Sequence, residues 1–139
     1  MSTEIETKPM KILVTGGAGF IGSHLMNSLL TKEYDLFCIG IDNFNNYYDP
    51  KLKYDRCEEF GLEIRDCDLN NFEKLDYLFQ DYEPDIVVHL AARAGVRNSM
   101  GNEHLYHKDN IEGTQNLINV CKLHDVQKVI YASTSSVYS

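Results

Sequence analysis

A chain of 139 residues, 43% hydrophobic and 24% charged, is long enough for one domain with a real core and carries no low-complexity tract. Its formal charge of −8 excludes a nucleic-acid or anionic-membrane surface as the main partner, because both call for basic patches. No apolar run reaches membrane-spanning length, and residues 1–9 lack the apolar and basic regions of a signal peptide, so a short disordered leader on a cytoplasmic protein is expected.

Cys38, Cys57, Cys67 and Cys121 show neither CxxC nor zinc-type spacing. They are expected to be free thiols in a reducing compartment, with no metal site. The acidic balance still leaves room for a small anionic ligand, since clustered backbone N–H groups bind phosphate inside an acidic protein.

Along the chain, Ile12-Leu13-Val14 ends abruptly in Thr15-Gly16-Gly17, as a buried parallel strand does. From Phe20 the apolar residues switch to helical spacing through Ile21, Leu25, Leu29 and Leu30. Leu36–Ile41 is a second apolar run closed by Asp42-Asn43, and a polar, tyrosine-rich stretch follows. Pro50 opens a short helix carrying Leu52, Cys57 and Phe60. Leu62-Glu63-Ile64 predicts a third strand, and Asn71 caps a helix with Phe72, Leu75, Leu78, Phe79 and Tyr82 on one side, ended by Pro84. Ile86–Ala92 is a fourth strand, apolar enough to be covered on both faces. One long helix centred on Ile111, Leu117, Ile118 and Cys121 precedes a fifth strand, Val129–Ala132. Alternating strands and helices predict an α/β fold: a doubly wound, Rossmann-type parallel sheet with helices on both faces, over residues 10–139. The chain stops soon after the fifth strand, so that strand is expected to form an apolar edge prone to self-association.

Thr15-Gly16-Gly17-Ala18-Gly19-Phe20-Ile21-Gly22 sits at a strand-to-helix turn, where a glycine pattern becomes a dinucleotide motif. Two registers fit: Gly17, Gly19 and Gly22 give GxGxxG, and Gly16, Gly19 and Gly22 give GxxGxxG. Either way the glycines permit a tight turn and close approach of a pyrophosphate, to which the helix N-terminus offers its N–H groups. Asp42 ends the second strand about 20 residues beyond the last glycine, where an acid accepts from the adenosine ribose hydroxyls. A carboxylate there repels a 2′-phosphate, and nothing basic immediately follows it, so NAD is expected over NADP.

Taken with Asp42–Pro50, His89–Arg97, Asn110–Thr114 and Ser133–Tyr138, the loop makes the chain resemble the extended short-chain dehydrogenase/reductase superfamily. Within it, Asp42–Pro50 and Ala91–Arg97 are most similar to UDP-glucuronate 4-epimerases. The resemblance implies an NAD-binding domain whose parent epimerises a UDP-sugar (UDP-glucuronate/UDP-galacturonate) through a 4-keto intermediate, as a homodimer. It implies pyrophosphate contacts at Phe20 and Ile21, and adenosine ribose contacts at Asp42 and Asn43 with Phe44, Asn45 and Asn46 nearby. Asp68 and Leu69 would meet the adenine, and Leu90, Ala91, Ala92 and Arg93 the nicotinamide half. Asn110 resembles an Asn that braces the sheet near the active site. Thr134 falls on the catalytic Ser/Thr that hydrogen-bonds the sugar 4-oxygen, with Ser135 and Ser136 as substrate contacts. Ser139 departs from the family's usual Gly.

The family's Tyr-x-x-x-Lys pair is absent; the only such spacing, Tyr47 to Lys51, lies in the adenosine loop. The chain by itself is therefore expected not to turn over. Dehydratases and decarboxylases share the same glycine loop, so an NAD-binding module of either kind, or a non-catalytic nucleotide-binding fragment, stays open. Arg93 and Arg97 are candidates to pair with a substrate carboxylate or phosphate. His104 and His107 read as residues of a surface helix rather than a metal pair, and His24 as a packing residue.

Overall fold

The computed structural model describes residues 8–45 and 48–138, without the side chains of Val96, Ser135 and Ser136. Most of the expected leader (residues 1–7), with Asn46, Tyr47 and Ser139, lies outside the described residues.

Five parallel strands form one sheet: β1 (Met10–Thr15), β2 (Leu36–Asp42), β3 (Ile64–Asp66), β4 (Ile86–His89) and β5 (Lys128–Tyr131), in the order β3-β2-β1-β4-β5. Thr15 registers with Ile41 on one side and His89 on the other, so the carboxyl ends of the three central strands lie level. Helix α1 (Phe20–Thr31) packs Met26, Leu25 and Leu29 on Ile12, Val14, Cys38 and Val88. On the opposite face α3 (Phe72–Tyr82) and α6 (Gly113–Leu123) pack Leu75, Phe79, Leu117 and Val120 on Leu13, Ile39, Ile41 and Val87. The alternation Ile12/Leu13/Val14 thus feeds two cores, as a doubly wound sheet requires. Leu13 and Phe79 have no exposed surface, and burial of such a side chain contributes about 1.5–3 kcal/mol.

Local chemistry sets the element ends. Pro50 stands at the start of α2 (Pro50–Phe60), where Asp49 accepts from the Lys51 N–H, and Gly61 closes it in the left-handed conformation. The Leu62 N–H is spent on the Cys57 carbonyl, so the third strand starts at Ile64 rather than Leu62. Asn71 caps α3 through the Lys74 N–H, and Glu83, left-handed at φ 54°, ends it just before Pro84.

The long helix expected around Ile111 is present as one continuous helical run from Glu103 to Leu123, with a change of helix type in its middle. After α4 (Val96–Ser99) and α5 (Glu103–Tyr106), a π-helical segment, His107–Glu112, leads into α6. The fifth strand runs Lys128–Tyr131 on the sheet edge with every side chain exposed, Ile130 at 50% and Tyr131 at 61%. A 3₁₀ turn, Ser135–Tyr138, follows. Among the described residues no helix is long and apolar enough to cross a membrane, and the four cysteines are buried free thiols.

Candidate functional site

The crossovers diverge between β1 and β4: β2 and β3 lie on one side and β5 on the other. At such a switch point the loops part and leave a crevice at the carboxyl ends of the strands. A cleft of about 400 Å³ opens there, within the range of small-molecule sites. It gathers Gly16, Gly19, Phe20, Ile21 and Gly22 from the first turn, Asp42, Asn43 and Asn45 from the second, Asp68 and Leu69 from the third, and Leu90, Ala91, Ala92 and Arg93 from the fourth.

Gly16 has φ +70°, and a Cβ on it would lie 3.0 Å from the Ala91 backbone. A Cβ on Gly22 would overlap the Gly16 carbonyl oxygen. Gly17 does not line the cleft; it faces the sheet, where its Cα lies 3.1 Å from where a Cβ on Gly40 would stand. The ligand-facing register is therefore Gly16, Gly19 and Gly22, while Gly17 lets the loop settle on β2. No side chain caps α1, so its first-turn N–H groups at Phe20 and Ile21 are left toward the cleft. This bare cradle fits a diphosphate.

Asp42 is 7% exposed and knits the β2 end of the cleft together. Its Oδ2 accepts from the Ala18 N–H at 3.2 Å, and its Oδ1 from the Phe44 N–H at 2.8 Å and from Lys53 Nζ at 3.2 Å. Phe44 itself turns away and stacks on Tyr54, centroids 4.4 Å apart. Asp68 accepts from the Asn70 N–H at 2.9 Å and from Asn43 Nδ2 at 3.4 Å, tying the third-strand loop to the second.

Beneath the opposite end lies a directional network. Thr15 Oγ1 accepts from the Leu90 and Ala91 N–H groups, both at 3.0 Å. Its own proton therefore points to His89 Nδ1, 2.6 Å away. His89 Nε2–H then donates to Thr114 Oγ1 at 2.8 Å, which donates to the Asn110 carbonyl at 2.7 Å. His89 is neutral in this arrangement, and burial pulls its pKa down to about 4. Asn110 accepts from the Arg93 N–H at 2.7 Å and donates to the Arg93 carbonyl at 3.1 Å. Asp109 holds Arg93 Nε at 2.8 Å.

Asn110 thus stands behind the cleft as a brace. Arg93 is already paired with a carboxylate, both side chains being about one-fifth exposed. Arg97 is exposed on α4, outside the cleft, and Thr134 lies two residues past cleft-lining Ala132 without lining it. Asn46 and the Ser135 and Ser136 side chains lie outside the described residues. Among the described residues no cluster of His, Cys, Asp and Glu could hold a metal. His24 packs as expected, between Phe20 and Phe60, with Nδ1 on the Phe20 carbonyl.

Four contributors have no role in the sequence reading: Thr15, His89, Lys53 and Arg56. Thr15 is read as the residue that opens the glycine loop and His89 as strand and the head of a family-like stretch, with no polar role for either, although a histidine within an apolar run signals a buried polar contact. Lys53 and Arg56 line the cleft, and Lys53 reaches Asp42 from a helix eleven residues on rather than from the next position. Their i, i+3 spacing on α2 was the available signal.

The sheet, the glycine cradle and the strand-end acid define a dinucleotide-binding domain of the doubly wound class. Residues 12–139 match the NAD dependent epimerase/dehydratase family, and the chain belongs to that family. It is 43% identical over 131 residues to a UDP-glucuronate 4-epimerase of Thermodesulfobacterium geofontis, covering 91% of this chain and 40% of that protein. UDP-glucuronate 4-epimerase 4 of Arabidopsis thaliana is 44% identical over 131 residues, covering 91% and 30%. The structure of a UDP-glucuronic acid 4-epimerase from Bacillus cereus in complex with UDP-glucuronic acid and NAD superposes with a TM-score of 0.82 at 42% identity, covering 94% of this chain and 42% of that one. The chain thus spans less than half the length of these relatives.

Proposed function

We propose that this chain is the NAD-binding part of a UDP-sugar 4-epimerase acting on UDP-glucuronate or UDP-galacturonate in the cytoplasm. The observation that carries the reading is convergence: four segments far apart in sequence meet in one cleft, lined by a bare helix N-terminus and by Asp42, which is bonded to the Ala18 N–H of the same turn. Phe20 and Ile21 N–H groups hold the pyrophosphate, Asp42 and Asn43 the adenosine ribose, and Asp68 and Leu69 the adenine. Leu90–Arg93, fixed from below by Thr15 and Asn110, orients the nicotinamide half. NAD, when bound, supplies reversible hydride acceptance at the sugar's C4. Thr134 hydrogen-bonds the sugar 4-oxygen, and Arg97, Ser135 and Ser136 contact the substrate. The four buried free thiols support a reducing compartment.

The 139 residues hold no Tyr-x-x-x-Lys pair outside residues 47–51. That favours, as a second reading, binding without turnover by this chain alone. Calorimetric titration with NAD and NADP, repeated on Asp42→Ala, tests the first reading. A preference for NAD that the substitution abolishes supports it. Failure of the unaltered chain to bind either dinucleotide would sink it, and interconversion of the two UDP-uronates by this chain alone would sink the second.

A further inference from the structure

The ribose end of the cleft holds more positive charge than a site built only to refuse a 2′-phosphate needs. Lys53 is 6% exposed, and its ammonium is committed to Asp42 Oδ1 while lying 5.4 Å from the Tyr48 ring centroid. One helical step on, Arg56 stacks its guanidinium over the Phe20 ring at 5.5 Å and reaches Ser23 Oγ at 3.5 Å. Among the described residues Arg56 meets no carboxylate within ion-pairing distance. Both side chains line the cleft, Lys53 on Asp42 and Arg56 one turn further along α2. Asp68, which also lines the cleft, is engaged with Asn43 and the Asn70 N–H.

Three of the roughly four acceptor positions of Asp42 are filled by Ala18, Phe44 and Lys53. One position remains for a ribose hydroxyl, and much of the carboxylate's charge is offset by Lys53. We infer that Lys53 and Arg56 form a latent 2′-phosphate site, so that Asp42 alone holds the cofactor choice to NAD. Removing Asp42 leaves a buried ammonium without its counter-ion, a guanidinium close by, and space where a carboxylate stood. A phosphate monoester dianion suits that set, because two charge-assisted hydrogen bonds to cations outweigh those of the single 2′-hydroxyl it replaces. This inference rests on the dinucleotide-site reading above.

The test is equilibrium binding of NAD and NADP to the unaltered chain, Asp42→Ser, and Asp42→Ser combined with Arg56→Ala. Asp42→Ser is expected not merely to lose its preference but to invert it, favouring NADP by about tenfold, the size of one hydrogen bond to a charged group. Most of that gain should vanish in the double variant and at high salt. NADP should also restore the melting temperature of Asp42→Ser more than NAD does at equal concentration, a readout that separates binding from loss of fold. An unaltered chain that binds NAD, with an Asp42→Ser variant that binds both dinucleotides equally or neither, would overturn the latent site and leave the NAD reading standing. Binding of neither dinucleotide by the unaltered chain would overturn both.

Discussion

The hydroxyl of Thr15 and Nδ1 of His89 stand 2.6 Å apart, at the adjoining ends of β1 and β4. Because that hydroxyl already accepts from two backbone N–H groups, the imidazole must receive its proton and remain neutral. The folded pKa of about 4, lowered from 6.5 by burial, lies below that of the unfolded chain. Between those values the unfolded state binds more protons, so stability should fall as the pH drops from about 6.5 to about 4, by roughly 3 kcal/mol at most. Above 6.5 the group adds no slope. Denaturant melts across this range should show the acid limb, and His89→Gln should flatten it; an unchanged slope in that variant would count against the network.

Thr15→Val keeps the shape at β1 but strands the Ala91 N–H and the imidazole nitrogen, while the Leu90 N–H keeps the Thr15 carbonyl at 3.2 Å. Leaving buried polar atoms unpaired costs about 1–3 kcal/mol each, so a loss of at least that size is expected in the urea midpoint. Thr15→Ser should recover most of it. A valine variant as stable as the parent chain would show that water or a rearranged loop replaces the bonds.

Gly22→Ala places a methyl on the Gly16 carbonyl, a backbone atom that cannot step aside. Gly61→Ala, by contrast, meets no neighbouring atom and strains only its left-handed backbone at φ +65°. Thermal melts should rank Gly22→Ala well below Gly61→Ala, which should lose about 1 kcal/mol. NAD titration should show lost binding for Gly22→Ala only.

The thiols of Cys38, Cys67 and Cys121 are driven up to about 11 by burial. Thiolate is the reactive form. In native buffer at neutral pH a disulfide reagent should therefore label these three slowly, and all four cysteines promptly in denaturant. Fast native labelling of any of the three would mean that its segment opens.

Among the described residues strand β5 pairs only with β4 and presents Val129, Ile130 and Tyr131 to solvent. Such an edge templates pairing with another chain. Sedimentation of the 139-residue chain should show concentration-dependent association, relieved by Ile130→Lys. A clean monomer at high concentration would contradict this.

Much of this architecture was legible because parallel strands and amphipathic helices write different periods into the sequence. Ile12–Val14, Leu36–Ile41 and Ile86–Ala92 stand out as apolar runs, the last kept as strand only as far as His89, and Asn71 and Pro50 mark helix starts that the structure keeps. The glycine loop and Asp42 were readable for the same reason, since strand, turn and helix must succeed one another in a fixed order. What escaped was long-range. Lys53 returns to Asp42 across a turn of α2, and His89 meets Thr15 from 74 residues away; neither partnership has a local pattern. The register of the glycine motif was equally undecidable, because only the contact between Gly17 and Gly40 shows which glycine faces the sheet.

The π-helical segment His107–Glu112 turns one helix into two with different phases. Ahead of Gly113, the consecutive side chains Asp109 and Asn110 both reach Arg93. Beyond it, Leu117, Val120 and Cys121 face the core. A regular α-helix advances about 100° per residue, and the wider π turn absorbs roughly one residue's worth of that rotation. Deleting a single residue there would restore an unbroken helix yet force a choice between the two faces. Either the brace on Arg93 or the packing of α6 would rotate out of place, so this stretch should tolerate substitution far better than any change in length.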